Sequence, residues 1–506
     1  NMVWMFCDSN NLSNLDVSNF NTENLTNMNS MFSECGCSLD VSNFNTENVT
    51  NMGSMFFGYS YLNLNVSSFN TENVTNMDSM FKNCKVERLN INNFNIEKIT
   101  SMREMFSGCK NLTHLYIDRL NTENITDMSN MFSGCSALTY LPVRNLNTKN
   151  VTTMECMFSG CSRLTSLGVS GFNTENVTTM ECMFKDCSGL TSLDVSGFNT
   201  ENVTTMAWMF SGCSGLTSLD VSSFNLKNVT TMAMIFENCS GLKSLDVSRL
   251  DTKNVTDMEF MFSGCSALTE LDLHHFQTEN ASMLCMFTDC RSLKTLDLSS
   301  FDIEEGGTSL KGCINLRTLY TPFRTSGIIE YDLPDGGTWY DKAGNTYTKL
   351  PQSSILLTKY SIPSAVTPHV MAVKTNTVYE YGSVVNMDDL RVKYYAADGT
   401  VRWVEPSEYT TNADEINTLQ PGEQILSVAY DGLMAEVALT ILEREESSEP
   451  EESSTMPESD TAEESSTTPE SSTTEESSNT QESSTMPESD TAEESSTTPE
   501  SSTTEE

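Results

Sequence analysis

The stretch that decides the reading is "ENVTTMECMFKDCSGLTSLDVSGFNT", Glu175 to Thr200. Taken alone, its two cysteines, two methionines and the glutamate beside Cys182 suggest a metal, redox or nucleophile site. The next 26 residues, Glu201 to Leu226, read "ENVTTMAWMFSGCSGLTSLDVSSFNL", and the same frame recurs along most of the chain. Met-Phe or a close variant stands at Met5, Met31, Met55, Met80, Met105, Met131, Met157, Met183, Met209, Ile235, Met261 and Met286, with a worn copy at Ser309-Leu310. A period of 23 to 26 residues is the signature of a repeat array and has to be settled before any motif is interpreted.

Each turn carries its own pattern. In "SLDVS", Leu193 and Val195 fall on one face of a short strand and Asp194 on the other. Val203, Met206, Phe210 and Cys213 follow at helical spacing, after Asn199 and Thr200, which are suited to capping. The expected unit is strand, turn, then a short helix or 3-10 segment. One such unit cannot bury enough apolar surface to fold alone, so the units must stack and share a core. About 13 turns at strand spacing extend roughly 60 Å.

The C-x-x-L-x-x-L-x-V pattern is similar to a leucine-rich repeat, in which parallel strands line a concave face. The consensus "LTSLDVSxFNTxNVTxMxxMFxGCSxL", over about residues 1–320, resembles the BspA-like leucine-rich repeat surface proteins. That resemblance implies a secreted or surface-displayed protein that binds host or neighbouring-cell macromolecules, and it brings no catalytic residue with it. The expected fold is therefore a leucine-rich-repeat-type solenoid of parallel strands and short helical segments, then a small all-β Ig-like sandwich and a disordered acidic tail.

The remaining boundaries follow from composition. Residues 321–351, with "GGTWYDKAGNTYTKLP", read as a cap over the last turn, with Trp339 and Tyr340 as its cover. Residues 352–367 read as a linker. From 368 to 442 the period becomes two, with Asp398-Gly399 and Asp431-Gly432 as hairpin signals; this region looks like a bacterial Ig-like domain. Residues 443–506 are rich in Ser, Thr, Glu and Pro, and 452–476 recur unchanged as 482–506. With almost no apolar content, this part is expected to stay extended as a stalk. "NMVWMF" begins inside a repeat, so the chain reads as N-terminally truncated, with its anchor out of view.

Net charge is −42 over 506 residues, of which residues 445–506 supply −20 and residues 1–444 supply −22. So acidic a chain excludes non-specific binding to nucleic acid or to an anionic membrane surface. No run of about 18 apolar residues crosses a bilayer.

The candidate sites are weighed against the repeat. Ten cysteines from Cys84 to Cys313 share one slot with Cys35, and Ser9 and Tyr59 replace it in two copies. A small buried hydrophobe tolerates such swaps; a metal cluster does not. Cys156 and Cys182 share a different slot one turn apart and are the best-placed pair for a disulfide. Twenty-three of the 29 methionines fill the two repeat positions and read as core. Asn-Val-Thr recurs at Asn48, Asn73, Asn150, Asn176, Asn202, Asn228 and Asn254, both a glycosylation sequon and a set of turn-forming residues. Asp194, Asp220, Asp246, Asp272 and Asp297 occupy the outward strand slot of consecutive turns. Like charges on adjacent strands are unfavourable, so this stripe is either a solvated face or a site for cations or a basic ligand. No hydrolase, phosphate-loop or zinc frame is present, and no catalytic residue, metal or cofactor is expected.

The functional expectation is a cell-surface binding protein or adhesin that recognises extracellular proteins or glycans through the solenoid. A structural surface component without a dedicated ligand, and a non-catalytic part of a larger exported enzyme, stand as alternatives.

Overall fold

The computed structural model describes residues 1–303, 309–322, 324–325, 333–334, 338–351, 353–359, 367–374, 377–397 and 400–443, all within the unit Asn1–Glu445. The expected stalk from residue 444 onward and the Asp398-Gly399 turn lie outside the described residues.

The short helix or 3-10 segment expected in each repeat does not form. In the turn around Met209, successive backbone N–H groups alternate between two tasks. Those of Met206, Trp208, Phe210 and Gly212 donate to Thr231, Ala233, Ile235 and Glu237 of the next turn, at 2.7–3.1 Å. Those of Met209, Ser211 and Cys213 close local turns onto Met206, Trp208 and Phe210, at 3.0–3.1 Å. A helix would send every N–H four residues back and hold φ negative throughout. Here Trp208 sits at φ 56° and Gly212 at φ 75°, the third positions of the turns Met206–Met209 and Phe210–Cys213, where type II geometry requires positive φ. The segment is thus a run of tight turns. Asn199 and Thr200 cap turns instead of a helix: Asn199 Oδ1 accepts from the Glu201 N–H at 3.0 Å, and Thr200 Oγ1 donates to the Asn225 carbonyl at 3.0 Å.

The strand expected at every "SLDVS" is regular in few turns. Arg88–Asn90 pairs in parallel with His114–Tyr116, and Thr295–Asp297 with Thr318–Tyr320. Elsewhere that side is extended, and parallel bridges run along the other corner, from Thr153 through Thr179, Thr205 and Thr231 to Asp257 and Ser282. The described residues are nearly all-β and turn; Ala413–Glu415 is the one helical segment among them.

Stacking puts identical side chains in register. The rings of Phe32, Phe56, Phe81, Phe106 and their successors to Phe287 lie 5.7–6.0 Å apart with planes within 12°, the offset arrangement aromatic rings favour. Beside them, each thiol from Cys84 to Cys313 in the shared slot donates to the carbonyl of the preceding turn's Phe, at 2.7–3.2 Å. Burial pushes the thiols of Cys84, Cys135, Cys187, Cys239 and Cys290 up, and those of Cys161, Cys213, Cys265 and Cys313 to about 12. The sequon asparagines form a third ladder: each amide Nδ2, from Asn48 to Asn254, donates to a carbonyl of the preceding turn at 2.7–2.9 Å.

At the end of the stack, Trp339 is buried in the same core as Leu316 and Leu319. Leu356–Lys359, inside the stretch expected as linker, forms a strand that pairs antiparallel with Thr318–Tyr320 and with Trp339–Tyr340. Beyond it lie two sheets. One orders His369–Lys374, Leu390–Tyr395 and Val401–Val404; the other orders Val378–Tyr379, Leu433–Ile441, Gly422–Tyr430 and Thr410–Thr411. Leu390, Val392 and Val404 share a separate core with Leu426, Val428, Leu439 and Ile441. Asp431 and Gly432, at φ 50° and 77°, make the two-residue hairpin expected there.

Phe210→Ala should cost about 3–5 kcal/mol, because the two flanking rings cannot close the gap without breaking backbone bonds on both sides. Denaturant unfolding checks this; a loss below about 1 kcal/mol would show that the aromatic stack is dispensable.

Candidate binding face

Three outward residues straddle the two buried ones in each "SLDVS". In successive turns they are Ser192, Asp194 and Ser196; Ser218, Asp220 and Ser222; and Ser244, Asp246 and Ser248. The aspartates have a local task. Asp194, Asp220, Asp246, Asp272 and Asp297 each accept, through Oδ1, the backbone N–H two residues on, at 2.8–3.2 Å. Asn65 and Asn90 do the same in their turns at 3.0 Å. The slot therefore selects a short side chain with an acceptor oxygen, charged or not. Hydrogen bonds from the Ser196, Ser222 and Ser248 side chains, then from the backbone, hold the Asp194, Asp220 and Asp246 carboxyls below their ordinary range.

The five aspartates do not form one uniform surface. Asp194, Asp220 and Asp246 are exposed. Asp272 is exposed too and bonds the His274 ring. Asp297 is half-buried, because the strand Leu390–Tyr395 lies against it. Tyr395 donates its hydroxyl to Asp297 Oδ2 at 2.7 Å, and Lys393 Nζ donates to Ser299 Oγ at 3.2 Å. Arg391 reaches Gln277 at 3.3 Å and Glu279 at 3.5 Å. The Tyr395 ring stacks on His369 at 4.3 Å and meets Tyr320 nearly at right angles at 5.6 Å. Lys393 is buried over the Trp403 ring at 5.1 Å; burial pulls its pKa down, against the attraction of Asp297 and Asp272. The period-two run Arg391, Lys393, Tyr395 was the available sequence signal for this docking, a basic face on one strand opposite an acidic column.

Beside the docked strand is a small cavity of about 20 Å³, room for about one water molecule. It is lined by His275, Ser300, Arg391 and Trp403 among others, and His275 Nδ1 and Ser300 Oγ are buried there without a partner. His275 Nε2 bonds the Val247 carbonyl at 2.7 Å. Burial, then the neighbouring His274, pushes His275 down to about 4.

Cys156 and Cys182 are free thiols in the left-handed slot that Trp208, Met234, Phe260 and Cys285 occupy in other turns, at φ 53° and 55°. Hydrogen bonding between the two pushes Cys156 up and Cys182 down, with Lys185 assisting at Cys182. Glu155 and Glu181 flank the pair, and no group of three metal-ligating side chains is present among the described residues.

A family model described as "Mycoplasma protein of unknown function, DUF285" matches residues 1–116, 109–219 and 215–315. A second, described as "Bacterial Ig-like domain (group 3)", matches residues 373–442, so the two-sheet module is an Ig-like domain. No curated protein matches the chain.

Two outcomes are expected. In native protein a thiol reagent should reach Cys7, Cys156, Cys182 and Cys285, which are half-buried, while the twelve buried thiols react only after unfolding. Cys182→Ser should remove the fastest phase, and rapid reaction of more than four thiols would contradict the buried ladder. Second, between pH 6.5 and about 4 the unfolded chain takes up a proton that folded His275 excludes. Stability is fully present above pH 6.5 and should fall by on the order of 3 kcal/mol toward pH 4. His275→Gln should flatten that part of the profile in denaturant titrations run across the range.

Proposed function

The chain belongs to the family described as "Mycoplasma protein of unknown function, DUF285", and from that premise we propose that it is a surface-displayed binding protein. It recognises extracellular proteins or glycans along the outward strand residues of the repeats. The repeats are of the leucine-rich, BspA-like class, and the Ig-like domain is a spacer. The observation that carries the reading is the division of labour within a turn. The interior and the backbone ladders are near-identical from turn to turn, while the outward triplet changes from Ser-Asp-Ser to aromatic, basic or glycine. A bacterial Ig-like domain beside the repeats supports display outside the cell. No helix among the described residues is long and apolar enough to cross a membrane.

The test is surface binding of the full chain to a panel of extracellular-matrix proteins and glycans at low and at about 0.15 M salt, past which exposed charge pairs are largely screened. Saturable binding that survives the higher salt is expected. Asp220→Asn keeps the turn bond and removes the charge, whereas Asp220→Ala removes both and should also cost about 1 kcal/mol of stability. Weaker binding in Asp220→Asn would assign the acidic column to the ligand. No saturable binding across the panel would favour a structural surface component without a ligand.

A further inference from the structure

Every turn of the stack has the same interior, so each turn is a reference for its neighbours on the outside. Asn65 and Asn90 vary the middle slot but keep its turn bond; two further departures bring aromatic side chains to the face. At the C-terminal end, His274 and Tyr320 stand in the outward slots, and the Ig-like strand docks there. The second departure is central. His114, Tyr116 and Asp118 form one triplet, Tyr140, Pro142 and Arg144 the next, and Gly168 holds the middle slot of the third.

This central departure costs the scaffold something. Pro142 and Gly168 cannot supply the side-chain acceptor that Asp offers to the N–H two residues on, and in these two turns the Val143 and Val169 N–H groups instead close onto Leu141 (3.0 Å) and Leu167 (3.2 Å). Tyr140 is 67% exposed and Tyr116 39%. Exposed rings in neighbouring turns are unfavourable in water and are a mark of an interaction site. Leu141, Pro142 and Arg144, with the missing side chains of Gly168 and Gly171, open a notch of about 330 Å³ beside Tyr140, at the small end of the range for ligand pockets. A notch of about 390 Å³ at the N-terminal end is lined instead by Asp16, Asp40 and serines, so chemistry and not size sets the central one apart. Charge differs as well. Residues 82–163 hold ten Lys/Arg against seven Asp/Glu, inside a region of residues 1–444 whose net charge is −22.

We propose that this notch binds a saccharide carrying a single carboxylate. The assignment deepens the surface-binding reading and rests on it. Arg144 pairs with the carboxylate through its planar fork. Tyr140 presents a flat apolar face to a sugar ring and a hydroxyl at its rim. Ser170 lines the notch, and Ser166 and Asp194 hold outward slots of the Gly168 turn and the next, offering donors and acceptors for sugar hydroxyls. A polyacidic peptide fits worse: laid along the same groove it would run onto Asp194, Asp220 and Asp246.

The experiment titrates the full chain with a trisaccharide ended by one glucuronic acid, with its glucose-ended counterpart, and with a poly-glutamate peptide, at about 0.15 M salt. The key variant combines Tyr140→Ser, Pro142→Asp and Gly168→Asp, which installs the Ser and Asp that hold these slots in the turns of Asp194, Asp220 and Asp246 and so should fold at least as well as the parent. Expected is saturable binding of the acidic trisaccharide, about tenfold weaker for the neutral one and about tenfold weaker in both the restored variant and Arg144→Gln. Equal binding by parent and restored variant overturns the assignment and leaves surface binding through another part of the face. Poly-glutamate binding as tightly as the acidic trisaccharide overturns the saccharide in favour of an acidic peptide. No binding of the acidic trisaccharide to the parent overturns it outright, and the wider matrix panel then decides the surface-binding reading by itself.

Discussion

The alternation of backbone N–H direction through Met-x-x-Met-Phe holds this molecule together. One N–H reaches across to the next turn and the following one folds back three residues. That arrangement demands left-handed residues at fixed places, Trp208 and Gly212 in one turn, Cys182 and Asp186 in the one before. A Cβ on Gly212 would lie 2.3 Å from Asp186 Oδ1, so glycine there answers both to φ and to its neighbour in the stack. The phenylalanine stack, the thiols bonded to phenylalanine carbonyls and the asparagine amides all follow, because each requires consecutive turns in strict register. Backbone bonds reach only adjacent turns, so stability resides in neighbouring pairs, as in other repeat arrays.

A core solved once and repeated leaves the outside free to change. The acidic column is bound to the scaffold by its turn bonds, which is why asparagine serves equally well at positions 65 and 90. Where the chain uses its own outward face, it does so with a strand that alternates Arg391, Lys393 and Tyr395. A lysine buried as Lys393 is costs several kcal/mol unless it is partnered. Ser299, the Trp403 ring and the nearby Asp297 supply that compensation. The docked Ig-like domain thus shows which chemistry this face accommodates: aromatic rings beside charge.

The spacing over Val203–Cys213 suggests a short helix or 3-10 segment for an identifiable reason. Spacings of three and four residues place side chains on one side of a helix, and they also do so in a run of tight turns closed at i+3. The difference was present in another column. Asp8, Glu34, Gly58, Asn83, Gly108, Gly134, Gly160 and Asp186 share one slot, and a column so rich in Gly, Asn and Asp marks positive φ. The turn bonds of the aspartates were hidden in a similar way, since a side chain's bond to its own backbone leaves no trace in the spacing of charges.

By itself the sequence determined the period, the buried identity of the Met, Phe and Cys columns, and the change to strand pairing after residue 368, because these follow from which side chains leave water and how often they recur. Only the tertiary structure decided that the turns replace helix, that the sequon asparagines are ladder donors, and that Lys393 and Tyr395 sit on Ser299 and Asp297. Those outcomes depend on partners about 25 to 100 residues away in the chain, and a local pattern carries no record of which distant carbonyl or carboxylate a donor will meet.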